Sequence, residues 1–204
     1  MRLAVLGASG ALGRRVVARA VSDGHSVRVL VRDPAAFPLF DQRLVTVVVG
    51  DALDPDAVQA VVTGSDAVIS ALGSPGIDYS VVRRTGAVHA LDAMRRSGIT
   101  RFVTVSITAV KPGLNPIGWV IATVLRNVLR DVRAMESVVC PSDADWVVIR
   151  APRLTDEPST GRYRLSTSGL PSGGMRISRA DLAEVMVARA TAPGRARTVY
   201  SVSY

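Results

Sequence analysis

Cysteine, lysine, histidine and aromatic residues are all scarce in this chain of 204 residues, and each scarcity removes a class of protein. Cys140 is the sole cysteine, so no intramolecular disulfide can close and no cysteine-built zinc site can form, which points to a reducing compartment. Lys111 is the sole lysine, so the formal charge of +8 rests almost entirely on arginine. The arginines are scattered, and aromatic residues, 4% of the chain, do not alternate with them as a base-stacking platform requires. Nucleic acid is therefore not an expected partner, and the basic balance reads either as a solvated surface or as a draw for a polyanionic small molecule. His25 and His89 are the only histidines, and no His/Asp/Glu cluster has ligand spacing, so no metal is predicted. Long hydrophobic runs are missing too. The stretch from Leu114 to Leu125 is interrupted by Asn115, Pro116, Gly118 and Thr123 and stops at Arg126, short of the ~20 residues that a membrane span needs. The chain opens Met1-Arg2-Leu3-Ala4-Val5-Leu6-Gly7, a strand and a turn rather than an apolar leader, so a cytoplasmic protein with no membrane partner is expected.

What is present is an alternation of two periodicities. Short β-branched runs at Leu3–Leu6, Val27–Val31, Leu44–Val49, Ala67–Ala71, Phe102–Val105, Trp146–Ile149 and Thr198–Val202 read as strands, several of them apolar throughout as strands buried on both faces are. Between them Ala11–Val21, Pro55–Val62, Ser80–Arg96, Pro116–Val139 and Arg179–Ala190 carry apolar residues at helical spacing. This pattern predicts an α/β fold, one doubly wound, mostly parallel sheet with helices on both faces, in a single domain over 1–204. From Pro152 to Gly174 the pattern breaks, with only Tyr163–Leu165 strand-like, and the segments around 107–118 and 152–178 are expected to shape the substrate end.

The sharpest motif is Gly7-Ala8-Ser9-Gly10-Ala11-Leu12-Gly13, which leaves the first strand and opens the first helix. In that context Gly7 permits the tight turn, Gly10 the approach of a pyrophosphate and Gly13 close packing of the helix on the sheet, while the helix N-terminus holds the phosphates. A Rossmann-type dinucleotide cradle built from Gly7, Ser9, Gly10, Ala11, Leu12 and Gly13 follows. The second strand ends Val29-Leu30-Val31-Arg32-Asp33-Pro34, with Val31 where an NAD-preferring site carries an acid and with Arg32 beside it. Arg32 therefore points to a ribose 2′-phosphate and NADP(H), unless it is an ordinary surface residue at a strand end. Asp51 and Ala52 after the third strand, and Leu72, Gly73 and Ser74 after the fourth, are the next cofactor contacts expected at the carboxyl ends of the sheet. Asp51 equally suits a cap for the helix near Pro55.

With these residues in hand, the chain resembles the atypical short-chain dehydrogenase/reductase group, notably the NAD(P)H-binding proteins related to biliverdin-IXβ/flavin reductase and, more distantly, NmrA-like regulators. The resemblance runs over nearly the whole chain, through the glycine turn, Val29–Pro34, Gly50-Asp51, Ala71-Leu72-Gly73, Arg101–Ser106, Trp146–Leu154 and Ile177–Ala183. It implies a reductase that transfers hydride from NADPH to a flat, conjugated acceptor such as a flavin, quinone or tetrapyrrole. The chain departs from the pattern in three places. No Tyr-x-x-x-Lys pair exists, since Lys111 has no tyrosine four residues before it and Tyr79 is followed at that spacing by Arg83; Ile107 stands at the catalytic serine's place; Arg153 replaces a histidine of the flavin-reductase relatives.

Ser106 and Thr108, just past the fifth strand, either orient an acceptor oxygen or the carboxamide or simply finish the strand. Arg153 either stabilises charge on a reduced acceptor or clamps a substrate anion. His25 and His89 read as structural. In Pro116–Val139 the stripe Trp119, Val120, Thr123, Val124, Asn127, Val128 and Val132 reads as core, with Arg126, Arg130, Arg133 and Glu136 on other faces. Two functions fit, a cytoplasmic NADPH-dependent reductase, monomeric or homodimeric, and a non-catalytic NADP(H)-binding sensor that regulates a partner.

Overall fold

The computed structural model describes residues 1–38, 40–73, 80–108, 126–194 and 196–204. In chain order the elements are β1 (Arg2–Leu6), α1 (Ala11–Ser22), β2 (Ser26–Val31), β3 (Val45–Val49), α2 (Pro55–Val62), β4 (Ala67–Ser70), α3 (Val82–Ser97), β5 (Arg101–Ile107), α4 (Arg126–Val139), β6 (Asp145–Ala151), β7 (Arg153–Thr155), β8 (Arg164–Ser166), β9 (Arg176–Ser178), α5 (Arg179–Thr191) and β10 (Thr198–Ser203). The main sheet runs β3-β2-β1-β4-β5-β6-β10-β8, parallel throughout except that β8 is antiparallel to β10. This is the doubly wound Rossmann order, in which the direction of strand addition reverses between β1 and β4 while the strands stay parallel.

Side-chain alternation along the strands divides the core in two. Leu3, Val5, Val29 and Ile69 face α1 and α5, whereas Ala4, Leu6, Val68, Phe102 and Val148 face α2, α3 and α4. The helix ends follow from local chemistry. Asp54 caps α2 through the Asp56 N–H, with Pro55 opening the helix, Gly98 ends α3 in the left-handed region at φ 68°, and Ser178 caps α5 through the Asp181 N–H.

Three sequence expectations change. The strand at Tyr163–Leu165 is β8, one residue later, and β7 and β9 form a separate parallel pair that the sequence pattern misses, being three residues each. The strand β3 is not buried on both faces, because the β2-to-β3 crossover is a loop rather than a helix. Phe37 and Phe40, 5.4 Å apart, pack in the core cluster that holds Val45, but Val47 and Val49 stay exposed. The first half of the helix predicted over Pro116–Val139, with Trp119, Val120, Thr123 and Val124, lies outside the described residues.

Candidate functional site

The glycine turn sits at the switch point, where β1 and β4 part. Gly7 has φ +76°, and a Cβ there would lie 2.8 Å from the Ala71 carbonyl carbon, so only glycine lets the chain leave β1 beside the end of β4. The Gly10 N–H closes the turn on the Gly7 carbonyl at 3.1 Å. A Cβ on Gly13 would come within 2.0 Å of the Gly7 carbonyl oxygen, so the close packing it permits is of α1 against the turn itself rather than against the sheet. A Cβ on Gly10 would meet only that oxygen, at 3.3 Å, which leaves its outer side open for a ligand.

Beyond Gly10 the helix begins without a side-chain cap and without an acid in its first turn. The first N–H groups of a helix, here those of Ala11, Leu12 and Gly13, have no intrahelical acceptor, so this end of α1 is a set of aligned donors at a positive dipole end. The helices α2 and α5 instead have capping side chains. Of the expected cradle residues, Ser9 is half-buried, Ala11 exposed and Leu12 buried in the core, so Leu12 offers its N–H alone.

Along the carboxyl ends of β2 to β4 the structure brings several expected residues together. Val31 is buried, and the Arg32 guanidinium, 76% exposed, lies 3.9 Å from the Asp51 carboxylate. Asp33 does not face it by necessity, since its Oδ1 accepts the Ala35 N–H of its own loop at 2.9 Å. Asp51 accepts the Leu53 N–H at 2.9 Å and is not the cap of α2, which is Asp54. Ala52 is buried, and its carbonyl accepts a hydrogen bond from His89 Nδ1 at 3.1 Å; because a carbonyl cannot donate, this contact sets the tautomer of His89 and ties α3 to the loop after β3. Leu72 is buried against Gly86 of α3, Gly73 is exposed, and Ser74 lies outside the described residues. Sequence reasoning missed Arg14. Its Nε donates to the Ser9 carbonyl at 2.8 Å and its Nη2 to the Ala36 carbonyl at 3.1 Å, so a cation clasps the glycine turn to the loop that follows Arg32. The available signal was an arginine directly after the last glycine of the turn.

At the ends of β5 and β6 the placement is less open than the sequence suggests. Ser106 is 2% exposed and its hydroxyl donates to Glu136 Oε1 of α4 at 2.5 Å, while Arg150 grips the same carboxylate through Nε at 3.0 Å and Nη2 at 2.6 Å. Burial pushes the Glu136 carboxyl up, but the Arg150 and Ser106 hydrogen bonds outweigh it and hold the group below the usual carboxylate range. Glu136, read from the sequence only as lying off the apolar stripe of its helix, is here a largely buried partner of Ser106 and Arg150. Burial, aided by the Glu136 charge, raises the nearby Cys140 thiol, which disfavours a thiolate. Thr108 anchors its N–H on the Ala151 carbonyl at 2.9 Å, and its hydroxyl is buried without a hydrogen-bond partner among the described residues. Arg153 starts β7, exposed and in register with Arg176, which itself bonds Glu157 at 2.9 Å. His25 lies at the opposite end of the sheet, 3.4 Å from the Met1 amino group.

The loop beyond β7 is organised by a single carboxylate. Asp181 is fully buried at the start of α5 and accepts from the Ser159 hydroxyl at 2.6 Å, the Gly161 N–H at 2.9 Å, the Thr160 N–H at 3.0 Å and the Tyr204 hydroxyl at 2.6 Å. Burial alone would raise this carboxyl, but these hydrogen bonds hold it far below its usual range. Among the described residues no three His, Cys, Asp or Glu side chains form a metal-ligand group, and no helix is long and apolar enough to cross a membrane.

A parallel sheet in this order, with a glycine turn at its switch point and an uncapped helix behind it, defines a dinucleotide-binding Rossmann protein. The NAD(P)H-binding family model matches residues 7–193, and the chain belongs to that family. Ceramide reductase of Caulobacter vibrioides is 28% identical over 171 residues, covering 80% of this chain and 50% of that protein. The 3-diazoavenalumate denitrifying reductase of a Streptomyces species is 31% identical over 191 residues, covering 80% and 59%. The chain thus spans about half the length of these relatives. Among solved structures, ChuY of Escherichia coli O157:H7, an anaerobillin reductase, superposes with a TM-score of 0.82 at 23% identity, over 100% of this chain and 97% of that one. A short-chain dehydrogenase/reductase of Veillonella parvula in complex with NADP superposes with a TM-score of 0.80 at 19% identity, over 100% and 94%. At these identities the two structures share the fold.

Proposed function

We propose that the protein is a cytoplasmic NADPH-dependent reductase that delivers hydride to a flat conjugated acceptor, such as a flavin, a quinone or a tetrapyrrole. The observation that carries the choice of acceptor is the Ser106–Glu136–Arg150 network. The Ser106 hydroxyl donates its hydrogen bond to Glu136, and Arg150 helps keep Glu136 ionised, so neither group offers a proton at neutral pH. An acceptor that delocalises the charge gained with hydride can take its proton from solvent, whereas a simple ketone needs a positioned acid.

When bound, the nicotinamide supplies the hydride. The chain's own residues do the rest: the start of α1 binds the diphosphate, Arg32 pairs with the 2′-phosphate, the buried Thr108 hydroxyl orients the carboxamide or the acceptor oxygen, and Arg153 stabilises negative charge at the rim. The reductase names of the two relatives, each with a different acceptor, support the reaction class and leave the acceptor to this chain's own rim.

The test is steady-state oxidation of NADPH against a flavin, a quinone, a tetrapyrrole and a secondary ketone. The conjugated acceptors are expected to turn over and the ketone not, and efficient ketone reduction refutes the proton argument. Tight NADPH binding with no turnover of any acceptor favours the second reading, a redox sensor, to which Ile107 and the missing Tyr-x-x-x-Lys pair point.

A further inference from the structure

Among the described residues, no strand pairs with the outer side of β3, which ends the main sheet. The Gly50 N–H donates to the Val31 carbonyl at 2.9 Å and the Leu44 carbonyl accepts the Val27 N–H at 2.7 Å, so the even positions of this segment turn their backbone groups to β2. By the alternation of a β-ladder, Val45, Val47 and Val49 turn theirs outward, although the Val45 N–H closes on the Asp41 carbonyl at 2.9 Å. The side chains of Val47 and Val49 are 41% and 62% exposed, on the sheet face that α1 covers elsewhere. The strand Val-Thr-Val-Val-Val has no charge and no proline, and its register with β2 is unbroken by a bulge, so the usual protections of an edge strand are missing.

We infer that β3 docks a second copy of the chain, antiparallel, about a two-fold axis at Val47. In that register Val47 faces its own counterpart, Val45 faces Val49, and Arg43 faces Asp51. The outward N–H and C=O groups of the two Val47 residues bond each other, and the Val49 N–H of each copy reaches the Val45 carbonyl of the other. The odd side chains of both copies share one face, so their valines merge into a continuous apolar strip. The flanking charges select this register. Arg43 is bonded to Asp41 at 3.1 Å and Asp51 lies beside Arg32 at 3.9 Å, so each end of the pair joins two cations to two anions. Moving the axis to Thr46 would oppose Asp41 to Asp51, and moving it to Val48 would oppose Arg43 to Leu53. Only the Val47 register pairs opposite charges at both ends. An interface built on one short strand belongs to the smallest class, so the dimer is concentration-dependent.

Sedimentation of the full chain over a concentration series tests this. The parent is expected to show a monomer–dimer equilibrium, and V47K to raise its dissociation constant by about tenfold or more, while V88K at a comparably exposed valine of α3 leaves it unchanged. R43D opposes two carboxylates at each end and D51R two guanidiniums, so each alone is expected to be mainly monomer, and an equimolar mixture of the two to regain the dimer. Circular dichroism establishes that each variant is folded. A parent that is monomeric at every concentration, a V47K dimer as strong as the parent's, or a mixture no more associated than its components overturns the inference.

Discussion

Replacing Arg32 by alanine separates the two nicotinamide cofactors by a margin that the structure lets one estimate. The guanidinium is 76% exposed and 3.9 Å from Asp51, so the pair it already makes is worth at most about 1 kcal/mol in water. A charge-assisted bond to a 2′-phosphate is worth about 1.5–3 kcal/mol, and moving Arg32 from Asp51 to the phosphate leaves a net of about 1–2 kcal/mol. At about 1.4 kcal/mol per tenfold, R32A should weaken NADPH roughly five- to thirtyfold. NADH carries a neutral hydroxyl at that position and loses nothing. It can even gain a little, because Asp51, relieved of its cation, becomes a free acceptor for that hydroxyl. The preference should also shrink as salt rises in the parent and be nearly flat in the variant, since the contact is exposed to screening. Calorimetric titration of both proteins with both cofactors at two ionic strengths reads all three effects. Equal losses for NADPH and NADH, or tighter NADH binding by the parent, would refute the reasoning.

Other substitutions test the remaining parts. Gly10→Val should abolish dinucleotide binding in a protein that still folds, whereas Gly13→Ala should lower stability itself, because its Cβ would lie 2.0 Å from the Gly7 carbonyl oxygen; thermal unfolding and cofactor titration distinguish the two. Arg153→Ala should slow turnover of a conjugated acceptor by about tenfold and leave NADPH affinity nearly unchanged, so a matching loss of cofactor binding would count against its place at the acceptor end. Asp181→Asn should cost about 2–4 kcal/mol at neutral pH, as an ionised acceptor for several buried donors is lost. The folded carboxyl titrates below the unfolded value of about 3.9, so its contribution is fully present above about pH 4 and fades as pH falls toward the folded pKa. Urea unfolding at a series of pH values should therefore show the gap between parent and variant narrowing in acid, and a gap that widens there would contradict the assignment.

The cofactor half of the site is local in sequence, which is why it could be read there. Gly7, Gly10 and Gly13 lie within one turn between a strand and a helix, and Arg32 and Asp51 follow directly from strand ends. What the sequence did not carry were contacts made across the fold. Glu136 reads only as a polar position off the apolar stripe of its helix until Ser106, 30 residues before it, and Arg150, 14 after it, close around its carboxylate. Arg14 looks like one of many surface arginines until the β2–β3 loop folds back to offer the Ala36 carbonyl. The pair β7–β9 has too few residues per strand to show a period of two, and it exists because Arg153–Thr155 and Arg176–Ser178 meet after a long detour. Likewise Val47 and Val49 have the composition of an interior strand, and only the missing crossover helix exposes them.

The unfinished start of α1 bears on what the fold can sense. A dinucleotide whose phosphates complete that helix raises the stability of the whole chain by mass action, about 2.7 kcal/mol when it is present at a hundredfold excess over its dissociation constant. Those phosphates are the same in the oxidised and reduced forms. The glycine turn therefore reports how much dinucleotide surrounds the protein and is blind to its redox state. On the proposed reading, discrimination between the two forms, catalytic or regulatory, arises further along the same carboxyl edge of the sheet, around Thr108 and Ala151.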